Sequence, residues 1–217
     1  PEFDVWHGGP VDGYGAAAEK GLIDAYDSPT AKEIPDKYKD PKHYWTGVYV
    51  GVLGFCSNQK VLEEKGLQVP QSWDDLLKPE LKGQVSTAHP STSGTAFTTL
   101  WTQVVLGGSE NAGIDYMKKM HANVLQYTKS GTAPGQIAGR GEVAVGLVFS
   151  HDCVKYRDEG MKDLVVSFPK EGTGYEIGGV ALVKNSKHSE AAKKYIDWAI
   201  SADAQNLGQT VGSNQIL

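Results

Sequence analysis

Two short stretches of this chain concentrate hydroxyl side chains beside a glycine: Thr92-Ser93-Gly94-Thr95, within AHPSTSGTAF, and Ser130-Gly131-Thr132, within TKSGTAPGQIAGRGE. Each stands between a strand-like run and a helix-like pattern, and Pro134 falls in the first turn of its helix, where proline is tolerated. A strand–turn–helix of this kind aims backbone N–H groups and hydroxyls outward at the positive end of a helix dipole, which favours an anion such as phosphate. The same residues would also serve a bare helix cap with a Ser/Thr turn. A nucleotide loop is excluded because the lysine of G-x-x-x-x-G-K-[ST] is missing. A nucleophile elbow is excluded because there is no G-x-S-x-G. Ligands of open α/β sheets sit at the carboxyl ends of strands, so two such turns read as two edges of one polar cleft.

Three further groups bear chemistry. His151 and Asp152 follow directly on the apolar run EVAVGLVFS, again at a strand's carboxyl end. The pair can hydrogen-bond a polyol, exchange protons, or cap and decorate a helix. As a metal site it offers only two ligands, so no metal and no cofactor is expected. Cys153 beside it is a weak nucleophile candidate, because sequence neighbours on a helix do not face each other. Glu176, next to Tyr175 in EGTGYEIGG, is placed to accept protons from sugar hydroxyls, or is a solvated loop charge. Finally, Trp6 and His7 lead into Gly8 and Gly9, where backbone can approach a ligand closely.

The elements that must position these residues alternate between strand and helix. FDVWHGG reads as a strand, VDGYGAAAEKGL as a helix ending at Gly21, and YWTGVYVGVLGFCSN as one long or two consecutive strands. Ser72 caps a helix in SWDDLLKPELKG that Pro79 should terminate. Further strands in QVSTA, VLQYT, LVVSFP and IGGVALVK alternate with helices up to ADAQNLGQT. This rhythm predicts an α/β protein with parallel or mixed sheets. The stretch Tyr44 to Ser57, β throughout, is the candidate crossover between two lobes.

A net charge of −5 argues against nucleic acid as a partner, and no run is long and apolar enough to span a membrane. Cys56 and Cys153 both lie in apolar segments, so they are expected to be buried free thiols rather than a disulfide. The chain opens on a strand already under way and closes on GSNQIL, a loop running into an apolar segment. Half-built ends of this kind lead to the expectation of a fragment whose targeting signal lies elsewhere.

The succession GVLGFCSNQKVLEEKGLQVPQSWDDLLKPELKGQVSTAHPSTSGTAF, together with AGRGEVAVGL, resembles the solute-binding proteins of ABC importers in the ferric-iron-type cluster. The combination of His151-Asp152 after that strand with GYEIGG some 25 residues later is similar to the hexose-phosphate-binding members. Iron-binding members place adjacent tyrosines there; this chain has only Tyr156 nearby.

The resemblance implies a type II periplasmic-binding-protein-like α/β fold with two lobes and mixed parallel sheets, the first lobe incomplete. Residues 1–45 would be partial N-lobe, 46–57 the crossover strands forming a hinge, 58–183 the C-lobe, and 184–217 a helical return toward the N-lobe. It further implies a periplasmic or lipoprotein carrier, not an enzyme, that closes over a phosphorylated sugar and hands it to a permease. Thr92, Ser93, Gly94, Thr95, Ser130, Gly131 and Thr132 would hold the phosphate. His151, Asp152 and Glu176 would hold the sugar, with Trp6, His7, Gly8, Gly9 and Tyr175 near the cleft. The rivals are an organophosphonate, ferric iron with an anion, a sensory domain of the same fold, and a phosphatase or hydrolase using His151 and Asp152.

Overall fold

Glycine, proline and capping hydroxyls set most of the element boundaries. The computed structural model describes residues 2–211; the closing stretch GSNQIL lies outside the described residues. In chain order the elements are β1 (Val5–Pro10), α1 (Val11–Glu19), β2 (Ile23–Asp24), β3 (Thr46–Asn58), α2 (Gln59–Glu64), β4 (Val85–Ala88), α3 (Gly94–Gly107) and α4 (Glu110–His121). They continue as β5 (Val124–Thr128), α5 (Ala133–Gly139), β6 (Val145–Phe149), α6 (Ser150–Asp158), β7 (Leu164–Ser167), β8 (Tyr175–Val183), α7 (Ser189–Ala199) and α8 (Ala202–Val211). The crossover stretch is one strand, β3. The expected helix after Ser72 is instead two 3-10 turns, Trp73–Leu77 and Pro79–Leu81. Ser72 Oγ does cap, accepting from Asp74 N at 3.2 Å. Pro79 forces Lys78 into extended backbone (φ −61°, ψ 132°), and this splits the segment.

The chain forms two units, one of residues 1–51 with 176–217 and one of residues 52–175. In the first, β8 pairs antiparallel with β1 (His7↔Val180, Val5↔Leu182) and with β2 (Ile23↔Val183). The strand expected in the C-lobe, 176–183, therefore belongs with the chain's first strands. The period of two is visible along it: Val180 and Leu182 join Val48, Ile196 and Ile200 in one cluster, while Ala181 faces Tyr14, Ala17 and Ile23.

In the second unit, β3 pairs antiparallel with β6 and β7, and β4 runs parallel to both β5 and β6. One face of this mixed sheet packs Leu53, Phe55, Val145 and Leu147 against Trp73 and Met120. The other packs Cys56 and Val148 against Ile137, Cys153 and Tyr156. Because β5 and β6 both run parallel to β4, α3, α5 and α6 all start at the end of the sheet to which those strands point. Helix α3 is inverted: Thr95, Thr99, Thr102 and Gln103 are buried while Phe97, Trp101 and Val105 are exposed. Two of its buried threonines satisfy themselves on the preceding turn, Thr99 Oγ1 donating to Thr95 O (3.0 Å) and Thr102 Oγ1 to Thr98 O (2.7 Å).

Cys56 and Cys153 are joined in a disulfide, which corrects the expectation of free thiols. Both are buried in the same core cluster, and the bond ties β3 to α6. It also removes Cys153 from any nucleophilic role.

Candidate functional site

The second unit carries the two hydroxyl turns. Ser93 is the N-cap of α3, with extended backbone and its Oγ accepting from Ala96 N at 3.4 Å. Thr92 Oγ1 donates between His89 O and Lys129 O, each at 3.2 Å, so it bridges the first turn to the strand end that leads into the second. In the second turn, Ser130 Oγ lies 2.9 Å from Thr132 Oγ1 and accepts from Thr132 N at 3.3 Å. Thr128 Oγ1 closes the turn by donating to Ser130 O at 2.7 Å.

The two turns touch. A Cβ on Gly131 would collide with Thr95 Oγ1 and lie 2.7 Å from Ser93 Oγ, so only glycine lets the second turn settle on the first. Thr92, Gly94, Ser130 and Thr132 are exposed around that contact, and Thr95 is buried beneath it. The hydroxyls of Ser93, Ser130 and Thr132 gather at this contact with the first turn of α3 behind them, while the Thr92 hydroxyl is already donated to backbone carbonyls.

His151 and Asp152 occupy the first turn of α6, with His151 Nε2 3.5 Å from Asp152 Oδ1. Phe149 rather than Asp152 is the N-cap, and no side chain caps this helix. His151 Nδ1 is buried and has no hydrogen-bond partner among the described residues. Burial pushes the His151 pKa down, against the pull of the Asp152 charge. Burial likewise pushes the Asp152 carboxyl up, opposed by His151 and Lys155. Helix α6 reaches the second hydroxyl turn through Tyr156, whose hydroxyl donates to Thr132 O at 3.3 Å.

The first unit holds a separate polar cluster. Tyr49, on β3, accepts from Gly9 N at 3.0 Å and donates to Glu176 Oε1 at 3.3 Å. Gly8 (φ +91°) and Gly9 (φ +81°) adopt left-handed backbone where the β1–β8 register slips between His7 and Pro10, which turns the Gly9 N–H toward the tyrosine. Burial pushes the Glu176 carboxyl up; the Tyr49 hydrogen bond lowers it and the Asp12 charge raises it. Tyr49 was not a candidate from sequence, since it sits in a β run and only its pairing with Glu176 marks it.

Trp6 stacks on Tyr14 (ring centroids 4.0 Å apart). His7 Nδ1 lies 3.1 Å from the Tyr195 hydroxyl. Tyr175 belongs to the second unit, exposed on a groove with Trp101 and Val105. Among the described residues no three His, Cys, Asp or Glu side chains group as metal ligands. No helix there is long and apolar enough to cross a membrane.

Comparison with known proteins gives these residues a context. Residues 11–211 match a family described as bacterial extracellular solute-binding protein. An uncharacterized protein of Haemophilus influenzae is 43% identical across the whole chain, which spans 64% of that protein's length. The periplasmic binding protein AfuA of Actinobacillus pleuropneumoniae, solved with exogenous fructose-6-phosphate bound, superposes with a TM-score of 0.92 at 41% identity. That match covers all of this chain and 69% of AfuA. The periplasmic binding protein P5PA gives a TM-score of 0.88 at 33% identity, with 100% of this chain and 69% of P5PA covered.

Proposed function

This chain belongs to the bacterial extracellular solute-binding protein family, and on that premise we propose that it binds a phosphorylated sugar for delivery to an ABC permease. The observation that carries the reading is the seating of Gly131 on Ser93 and Thr95, which brings the two hydroxyl turns and the start of α3 together. A phosphate dianion matches that donor set, because helix N-termini favour anions and hydroxyls supply neutral donors. His151 and Asp152 serve the sugar hydroxyls: the buried Nδ1 of His151 awaits a partner, and a carboxylate accepts charge-assisted hydrogen bonds roughly twice as strong as neutral ones. Glu176, held by Tyr49, is a second acceptor of the same type. The sugar-phosphate complex of the 41%-identical AfuA supports the same ligand class.

The family works in transport rather than in catalysis, and the site agrees with that role. Cys153 is locked in a disulfide, so a hydrolase using Cys153 as nucleophile is ruled out. A disulfide also fits an extracytoplasmic, oxidising compartment. Calorimetric titration with glucose 6-phosphate and fructose 6-phosphate tests the reading: binding heat and a raised melting temperature are expected. Absence of both with every hexose phosphate tried would sink it.

A further inference from the structure

We propose that Tyr156 is a positioning residue that couples the His151–Asp152 pair to the Ser130-Gly131-Thr132 turn and so sets selectivity for a sugar-linked phosphate over free phosphate. The inference rests on the phosphorylated-sugar reading and adds to it a residue that touches no ligand.

Two buried side chains set how helix α6 seats on its neighbours. It is nine residues long, has no side-chain cap and buries only Cys153 and Tyr156. These two, three residues apart, share one face of the helix. Cys153 fastens that face to β3 through the disulfide. Tyr156 fastens it to α5 and the turn before it: its ring packs against Gly135, where an added Cβ would lie 3.0 Å from the ring. Its hydroxyl donates to Thr132 O at 3.3 Å.

That carbonyl already accepts from Gly135 N at 3.2 Å, so the tyrosine uses its second lone pair. Loss of the hydroxyl therefore leaves the turn hydrogen-bonded, and the phenyl ring still fills the core. What is lost is the tie between two parts of one recognition surface, the phosphate turn and the helix that carries His151 and Asp152. A ligand that engages both parts depends on their spacing. A ligand that engages the turn alone does not.

The experiment is Tyr156→Phe, titrated beside the wild type with fructose 6-phosphate, glucose 6-phosphate and inorganic phosphate. Affinity for the hexose phosphates is expected to fall by about three- to tenfold, the scale of one hydrogen bond. Affinity for inorganic phosphate is expected to stay the same. Equal weakening toward all three ligands, or toward none, overturns the coupling role while leaving the sugar-phosphate reading intact. A wild type that binds no hexose phosphate overturns both. A double-mutant cycle with Asp152→Asn gives a second readout: the two losses are expected to be non-additive, and strict additivity counts against the proposal.

Discussion

Gly131 rests against Ser93 with no room for a side chain between them: a Cβ would lie 2.7 Å from Ser93 Oγ and collide with Thr95 Oγ1. The contact joins residues 38 positions apart. It follows from the parallel pairing of β4 with β5, whose carboxyl ends release both turns at the same edge of the sheet. Gly131→Ala is therefore expected to spread the turns, at an overpacking cost of about 1–3 kcal/mol. Hexose-phosphate affinity should fall tenfold or more while the circular dichroism spectrum is unchanged. Undiminished affinity in titration would remove Gly131 from the site.

Ser93→Ala separates the two uses of that residue. Loss of the cap on α3 should cost roughly 1 kcal/mol of stability, read as a lower melting temperature. If the hydroxyl also donates to phosphate, affinity falls as well. Ser109→Ala, which removes a like cap from α4 (Ser109 Oγ accepts from Ala112 N at 3.2 Å), should lower stability and leave affinity alone. Equal effects of both variants on affinity would reduce Ser93 to a helix cap.

Glu176→Gln is expected to move stability and binding in opposite directions. Burial raises the Glu176 pKa above its usual 4.5, so folding favours its protonated form. The stability it contributes is present below pH 4.5 and is lost as pH rises through the raised folded-state value. At pH 7 the neutral glutamine removes that penalty, so the ligand-free variant should melt at or above the wild-type temperature. Ligand affinity should fall by about ten- to a hundredfold, the range for a hydrogen bond to a charged acceptor. Thermal melts across pH 4–8, with and without fructose 6-phosphate, read both effects. A variant that loses stability and keeps affinity would place Glu176 outside the site.

Much of this arrangement is legible in the residues. The punctuation by Gly21, Ser72 and Pro79 marks element ends, and the almost wholly apolar run EVAVGLVFS marks a strand buried on both faces. The hydroxyl turns, the His151–Asp152 pair and Glu176 stand out because their residue types suit one chemistry. Three features are not legible, two because they depend on strand order and one because it turns on the strength of a local restriction. Tyr49 gains a role only when Gly9 and Glu176 are brought to it from distant strands. The split of 72–81 into two 3-10 turns reflects how strongly Pro79 restricts Lys78. The disulfide needs β6 to lie beside β3, so that α6 folds back over Cys56; an apolar setting alone reads equally well as a buried thiol.

His151 gives a pH prediction of the opposite sign to Glu176. Burial depresses its pKa below 6.5, so its contribution to stability is present above pH 6.5 and is lost as pH falls through the depressed value. The neighbouring Asp152, raised from 3.8 by burial, contributes below pH 3.8 and loses that contribution as pH rises. A proton titration of the imidazole by NMR should give a midpoint below 6.5 in the ligand-free protein. A midpoint at or above 6.5 would mean that the Asp152 charge outweighs burial.

The Cys56–Cys153 bond closes a loop with a sequence separation of 97, and its loss should be felt twice. In the chain-entropy account a cross-link of that span is worth about 4–5 kcal/mol through the unfolded state, a large fraction of the roughly 5–15 kcal/mol that holds a domain together. Replacing both cysteines by alanine should therefore lower the melting temperature well beyond the effect of Tyr156→Phe. The second effect is local. Cys153 is one of two buried residues of α6 and directly follows Asp152, so the bond is one of two side-chain ties on the helix that carries the proposed sugar-binding pair. Below its melting temperature the double variant should bind inorganic phosphate as before and hexose phosphate more weakly. Adding Tyr156→Phe to it should then weaken hexose-phosphate binding by more than the same change does in the wild type, because both side-chain ties of α6 are then weakened. If the double variant keeps full hexose-phosphate affinity, the disulfide contributes stability alone and α6 is held by packing that the two anchors do not dominate.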